Sequence, residues 1–128
     1  MPGKEGDHPA EVRRIQILKI LLAACNAKYI HSNLAVYNLK SCSGEYSPNV
    51  VIKEYTINQI QDDILKDIYL EQPDVICFSC YIWNISFVKE LVPDLKKILP
   101  HVDFWAGGPE VSYDAVKFLN KNPAFFGV

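Results

Sequence analysis

From Ile15 onward, two kinds of hydrophobic pattern alternate along the chain. Ile17–Cys25, Val50–Tyr55, Val75–Ser79 and Val102–Ala106 are short runs of Ile, Val, Leu and aromatics. Such runs predict strands, and the first and third are apolar almost throughout, as parallel strands covered on both faces are. Between them the apolar period changes to 3–4. Leu34–Cys42 predicts a short helix ended by Ser43-Gly44. Ile57, Ile60, Ile64, Leu65 and Ile68 predict a longer one, with Asn58 and Gln61 placed as a capping box and Pro73 as the stop. Ile85, Val88, Leu91, Val92, Leu95, Ile98 and Leu99 form the strongest stripe, closed by Pro100. Pro93 inside it predicts a kink. A last helix is expected from about Tyr113 to Asn120, and Ala124–Val128 reads as the start of a fifth strand.

Strand and helix thus alternate four times. The expected architecture is an α/β, doubly wound parallel sheet, flavodoxin-like (Rossmann-like), with strand order 2-1-3-4-5. Residues 1–14 are polar, with Pro2, Gly3, Gly6 and Pro9, and read as a loose extension ahead of a domain spanning 15–128. The domain looks cut off before a further one, since the chain stops where an edge strand is expected.

Composition narrows the field without naming an activity. The 128 residues are 49% hydrophobic and 22% charged, which suits one packed globule. Thirteen Lys and Arg against fifteen Asp and Glu give a net charge of −2, so there is no basic field to attract nucleic acid or an anionic membrane. Four cysteines are too sparse for a secreted disulfide scaffold, and no apolar run spans a bilayer. Arg13-Arg14 followed by Leu22-Ala23-Ala24-Cys25 imitates a lipoprotein signal. Lys19, however, leaves only five clean apolar residues before the cysteine, short of the ~7–15 that export requires. The expected location is cytoplasmic.

Ligands of such sheets bind beyond the carboxyl ends of the strands. Three loops fall there: Asn26–Asn33, Cys80–Asn84 and Gly107–Ser112. None carries G-x-G-x-x-G, a P-loop, or a Ser/Thr/Gly phosphate cradle, so NAD, ATP and FMN readings fall. A phospho-receiver would need acidic residues where Asn26 and Ser79 stand. Gly107-Gly108 serves a sharp turn, a flat floor for a planar ligand, or both. Tyr81 and Trp83 either tuck under the following helix as core or await a ligand or partner. Cys77 and Cys80 are three apart on an extended run, which sends their thiols to opposite faces roughly 10 Å apart. Chelation is therefore not expected. Cys77 reads as core and Cys80 as loop wall, and the lone His31 reads as a cap or a solvent-facing group.

Taken together, Lys19–Asn33 (KILLAACNAKYIHSN), Ser79–Asn84 (SCYIWN) and Gly107–Tyr113 (GGPEVSY) resemble the vitamin B12-binding domain that precedes the radical S-adenosylmethionine (radical SAM) domain in cobalamin-dependent radical enzymes, of the anaerobic magnesium-protoporphyrin ester cyclase type. The resemblance implies cobalamin as cofactor and a C-terminal radical SAM domain of the same chain as partner, with no nucleic acid and no membrane. It also implies that the iron–sulfur cluster and S-adenosylmethionine belong to that C-terminal part, because no C-x-x-x-C-x-x-C occurs here.

The family's D-x-H-x-x-G maps onto Asn26, Lys28 and His31 in the Asp, His and Gly positions. A protonated lysine has no lone pair to give cobalt, so the lower face is expected to lack a protein ligand. Carried over to this sequence, the cofactor-binding residues are Asn26, Lys28, Tyr29, Ser79, Cys80, Tyr81, Trp83, Gly107, Gly108, Pro109 and Glu110, with no catalytic residue in the chain itself. The rival expectation is a domain that kept the fold, lost the cofactor and serves as an interaction scaffold through Tyr81–Trp83.

Overall fold

The computed structural model describes residues 18–26 and 34–128. Its element order is β1 (Ile20–Asn26), α1 (Leu34–Ser41), a 3-10 turn (Gly44–Asn49), β2 (Val50–Thr56), α2 (Gln61–Glu71), β3 (Val75–Ser79), α3 (Ile85–Ile98), β4 (Asp103–Gly107), α4 (Pro109–Ser112) and α5 (Ala115–Lys121). The four strands form one parallel sheet in the order β2-β1-β3-β4. The expected doubly wound order therefore holds over the first four positions.

The fifth strand is not seen. Residues near the carboxyl terminus make a single parallel bridge, Trp105 to Gly127. The Phe126 amide donates to the Phe104 carbonyl at 2.7 Å, and the Ala106 amide donates to Gly127 at 3.0 Å. Two bonds align this segment beside β4, too few to make a ladder.

Alternation along β1 divides the core. Leu21, Ala23 and Cys25 face α2 and α3, joining Ile64, Ile68, Val88, Leu91, Val92 and Leu95 in the larger cluster. Leu22 and Ala24 face the other way and meet Val36 of α1. Successive side chains on a strand point to opposite faces, so a strand buried on both sides must be apolar at every position, as β1 is. The α3 stripe is the main anchor: Val88, Leu91, Val92 and Leu95 are fully buried. Each such side chain is worth roughly 1.5–3 kcal/mol of transfer free energy.

One local expectation is corrected. Helix α2 begins at Gln61, three residues later than Asn58, and its N-cap is Ile60 with no side-chain bond. The capping box does not form. Instead the Gln59 side chain accepts from the Thr56 amide at 2.8 Å, which closes the β2–α2 turn. Helix α3 runs continuously from Ile85 to Ile98 with Pro93 on its exposed side. The last helix, expected over about 113–120, is α5, and the short α4 precedes it. Asp114 separates the two, with an extended backbone (φ −140°, ψ 76°) and a carboxylate that accepts from the Lys117 amide at 3.2 Å.

Candidate functional site

The two faces of the sheet are covered unequally. On the α1 side the strand register places Leu22, Cys77 and Trp105 in one row, and Ala24, Ser79 and Gly107 in the next row toward the carboxyl ends. The first row is apolar and broad. The second consists of small residues: Ala24 is buried against Val36, while Ser79 and Gly107 reach the open side, and Gly107 faces open space. Helix α1 covers only part of these rows. The result is an open cavity of about 260 Å³ between α1 and the carboxyl halves of β1, β3 and β4. Its walls are Leu22, Val36, Leu39, Cys77, Phe78, Ser79, Tyr81, Trp105, Ala106, Gly107 and Gly108.

Of the residues expected from sequence, Ser79, Tyr81, Gly107 and Gly108 are brought together in this wall. The two glycines differ in what they do. A Cβ on Gly107 would meet nothing within 4 Å and would project into open space. Gly108 has φ +105°, and a Cβ there would stand 2.4 Å from the Cys80 carbonyl oxygen. The Cys80 amide donates to the Gly107 carbonyl at 2.7 Å, so the two backbones are clamped too closely for any side chain at Gly108.

Cys80 itself is fully buried in the α2/α3 core, on the far side of the sheet from the cavity, and burial pushes its thiol up to about 12. The expected positions of the two cysteines are thus exchanged. Cys77, expected in the core, lines the cavity, and Cys80, expected in the loop wall, is core. The alternation of β3 simply continues one residue beyond the strand's end.

Trp83 stands outside the cavity, 51% exposed, and stacks flat on Tyr81 with ring centroids 4.5 Å apart. Neither aromatic tucks under α3, and neither plugs the recess. Pro109 and Glu110 open α4 on the exposed rim. Asn26 lies at the end of β1, where its amide donates to Glu54 at 3.1 Å. Tyr37 donates to the other oxygen of the same carboxylate at 2.8 Å. Lys28, Tyr29 and His31 fall outside the described residues.

One residue whose role sequence reasoning passed over joins two of the strand ends at the rim. Asn84, fully buried at the start of α3, donates to the carbonyls of Cys25 and Ser79, both at 2.9 Å, and accepts from the Tyr81 amide at 2.7 Å. It ties the carboxyl ends of β1 and β3 to the Tyr81–Trp83 loop. A buried amide at a helix start normally caps its own helix, and this one turns back to the sheet instead. The signal was a polar residue inside an otherwise apolar stretch, but its partners lie 59 residues away for Cys25.

The site is an open recess with a largely apolar wall, reached past the open space at Gly107. Among the described residues no group of three His, Cys, Asp or Glu side chains could hold a metal ion. No helix among them is long and apolar enough to cross a membrane.

Comparison with known proteins agrees with this geometry. A family model described as a B12 binding domain matches residues 20–128. The cobalamin-dependent radical SAM methyltransferase TokK of Streptomyces tokunonensis is 36% identical over 52 residues, which is 41% of this chain and 8% of that protein. The solved structure of OxsB, a cobalamin-dependent S-adenosylmethionine radical enzyme with aqua-cobalamin and S-adenosylmethionine bound, aligns at a TM-score of 0.64 and 13% identity. That alignment covers 89% of this chain and 17% of OxsB, and it shows a shared fold. The present chain thus spans under a fifth of either relative.

Proposed function

The chain belongs to the B12-binding domain family, and from that membership we propose that it carries a cobalamin at the carboxyl ends of its strands for a radical SAM enzyme. The observation that carries the reading is the Ser79–Gly107 edge opening onto the Leu22–Cys77–Trp105 recess. At Gly107 the absence of a Cβ leaves open space where the nucleotide tail would run.

Ser79 and Gly107 would flank the tail, Tyr81 would wall its entrance, and Asn84 would hold the ends of β1 and β3 to the Tyr81–Trp83 loop. Lys28 stands where relatives with D-x-H-x-x-G place a histidine, so the lower face of the corrin would receive no protein ligand. Bound cobalamin supplies a cobalt centre able to carry a methyl group. This chain's residues orient it and exclude water from its tail. TokK's activity favours methyl transfer over the ring formation suggested by the cyclase-type resemblance.

The test is direct. Hydroxocobalamin mixed with the 128-residue chain should show the visible spectrum of the base-off form. An unchanged spectrum at millimolar cobalamin would overturn the proposal.

A second reading, an interaction scaffold without cofactor, is favoured by the exposed Ile82 and Trp83 beside the recess. The two readings part at Gly107→Val. It fills open space and so removes cobalamin binding under the first, and leaves partner binding intact under the second.

A further inference from the structure

Two of the four cysteines meet at the end of the sheet where the recess opens. The pairing of β1 with β3 runs through Ala24 and Ser79, and Cys25 and Cys80 follow one step later on each strand. The strand ends stay side by side there, because the Asn84 side-chain amide reaches the carbonyls of both Cys25 and Ser79 at 2.9 Å. Both cysteines belong to the α2/α3 core cluster and are 1% and 0% exposed. Their nearness shows in the thiols as well: Cys80 adds to the burial that raises the Cys25 thiol.

Neighbouring strands lie about 4.7–4.9 Å apart, inside the ~4.4–6.8 Å between Cα atoms that a disulfide spans. Its Cβ atoms must come within about 3.5–4.5 Å, so a bridge between in-register neighbours draws the two strands slightly together. The other thiols do not compete. Cys42 is exposed, and Cys77 lines the recess on the opposite face of the sheet.

We propose that Cys25 and Cys80 are a redox pair whose disulfide pins the carboxyl ends of β1 and β3 to each other and shifts the rim of the recess. The oxidant is a small-molecule disulfide such as oxidised glutathione. One cysteine thiolate attacks it, forming a mixed disulfide and releasing one glutathione thiol. The second cysteine then displaces the other glutathione. Two protein thiols thus become one S–S bond, one glutathione disulfide becomes two thiols, and both protons leave with them. Thiols this deeply buried are inert in the native fold, so the bond closes while the chain folds and β1 comes to lie beside β3.

The experiment uses the full 128-residue chain carrying Cys42→Ser. It is unfolded, refolded at graded ratios of oxidised to reduced glutathione, and alkylated in denaturant, with intact mass as the readout. One of the four cysteines being removed, the reduced protein takes up three alkyl groups, on Cys25, Cys77 and Cys80. The oxidised protein is expected to take up one, on Cys77, and to yield a peptide joining Cys25 to Cys80. Cys25→Ala in the same background should form no bridge in any buffer. Should that variant fold poorly by circular dichroism, Cys80→Ala repeats the control from the other partner. Three alkyl groups in the most oxidising buffer, or a bridge through Cys77, overturns the pair.

The effect on the recess rests on the cobalamin-carrier reading. Ser79 and Tyr81 line the recess next to the bridged ends, so the oxidised chain should bind hydroxocobalamin at least about threefold more weakly than the reduced one in a spectral titration. Equal affinity overturns the shift of the rim. Failure of both forms to bind overturns the carrier reading, while the alkyl count still decides the pair.

Discussion

Gly107 and Gly108 are adjacent and chemically identical, yet only one of them is required by the fold. At Gly108 a side chain must meet the Cys80 carbonyl at 2.4 Å on a backbone with φ +105°. Gly108→Val should therefore cost roughly 3 kcal/mol or more in chemical denaturation whether or not cobalamin is present. Gly107→Val should change stability by less than about 1 kcal/mol. It should still weaken cobalamin at least about tenfold, ~1.4 kcal/mol, in a spectral titration.

The cysteines sort in the same way by surroundings. Cys42 is exposed, Cys77 lines the recess with its thiol pushed by burial to about 11, and burial holds Cys25 and Cys80 near 12. For Cys25 the neighbouring Cys80 adds to the effect of burial. Reaction with a disulfide reagent at pH 8 should modify Cys42 quickly and Cys77 slowly. Cys25 and Cys80 should react only in denaturant; fast modification of either in the native chain would contradict this packing.

At the scale of elements, the junction between β3 and α3 holds the rim together, and Asn84 is its fastener. Replacing it with the isosteric Asp would set a carboxylate against the Cys25 and Ser79 carbonyls that now accept from its amide. Buried charge without a partner is costly. Asn84→Asp should lower stability by about 3–5 kcal/mol in a denaturant melt and loosen cobalamin binding. Helix α3 contributes mainly through its stripe. Leu91→Ala should cost about 2–5 kcal/mol, with no direct effect on the recess across the sheet. Pro93 is accommodated because it lies on the exposed side of α3, where the altered hydrogen bond is open to water.

For the molecule as a whole, the lopsided layering is the decisive feature. Helices α2, α3 and α5 share a large core with one face of the sheet, while among the described residues α1 and the Phe126–Gly127 segment beside Trp105 cover only part of the other and leave the recess. The edge strand β2 is fastened at its side by ion pairs: Lys53 to Glu71 at 3.1 Å and to Asp67 at 3.5 Å, with Lys19 to Glu71 at 2.8 Å. The hydrogen bond from Lys19, and then that from Lys53, holds the Glu71 carboxyl below its ordinary range. A depressed folded value means the contribution is complete above the unfolded carboxylate range, near about 4.3, and is lost as pH falls through the folded value. The melting temperature should therefore drop on acidification below that range. Glu71→Gln should start lower at neutral pH and show a flatter decline; an unchanged slope would remove Glu71 from the account.

The sequence by itself determined the parallel α/β layering, the first four strand positions and the carboxyl-end location of the loops. These follow from local periodicity and from the rule that a strand buried on both faces is apolar throughout, as Leu21–Cys25 is. It also marked the glycine pair, because Gly-Gly after a strand is visible without coordinates, whereas Ser79 was pointed to by the resemblance to B12-binding domains. Only the tertiary structure decided which glycine faces open space, that Cys77 rather than Cys80 meets the recess, and that Asn84 clasps two strand ends. Each of these depends on register between strands dozens of residues apart, and a shift of one residue would turn every side chain to the other face. The bridge at Gly127 belongs to the same class. Its residues have the composition of a strand, but how far they pair is set by the neighbouring β4.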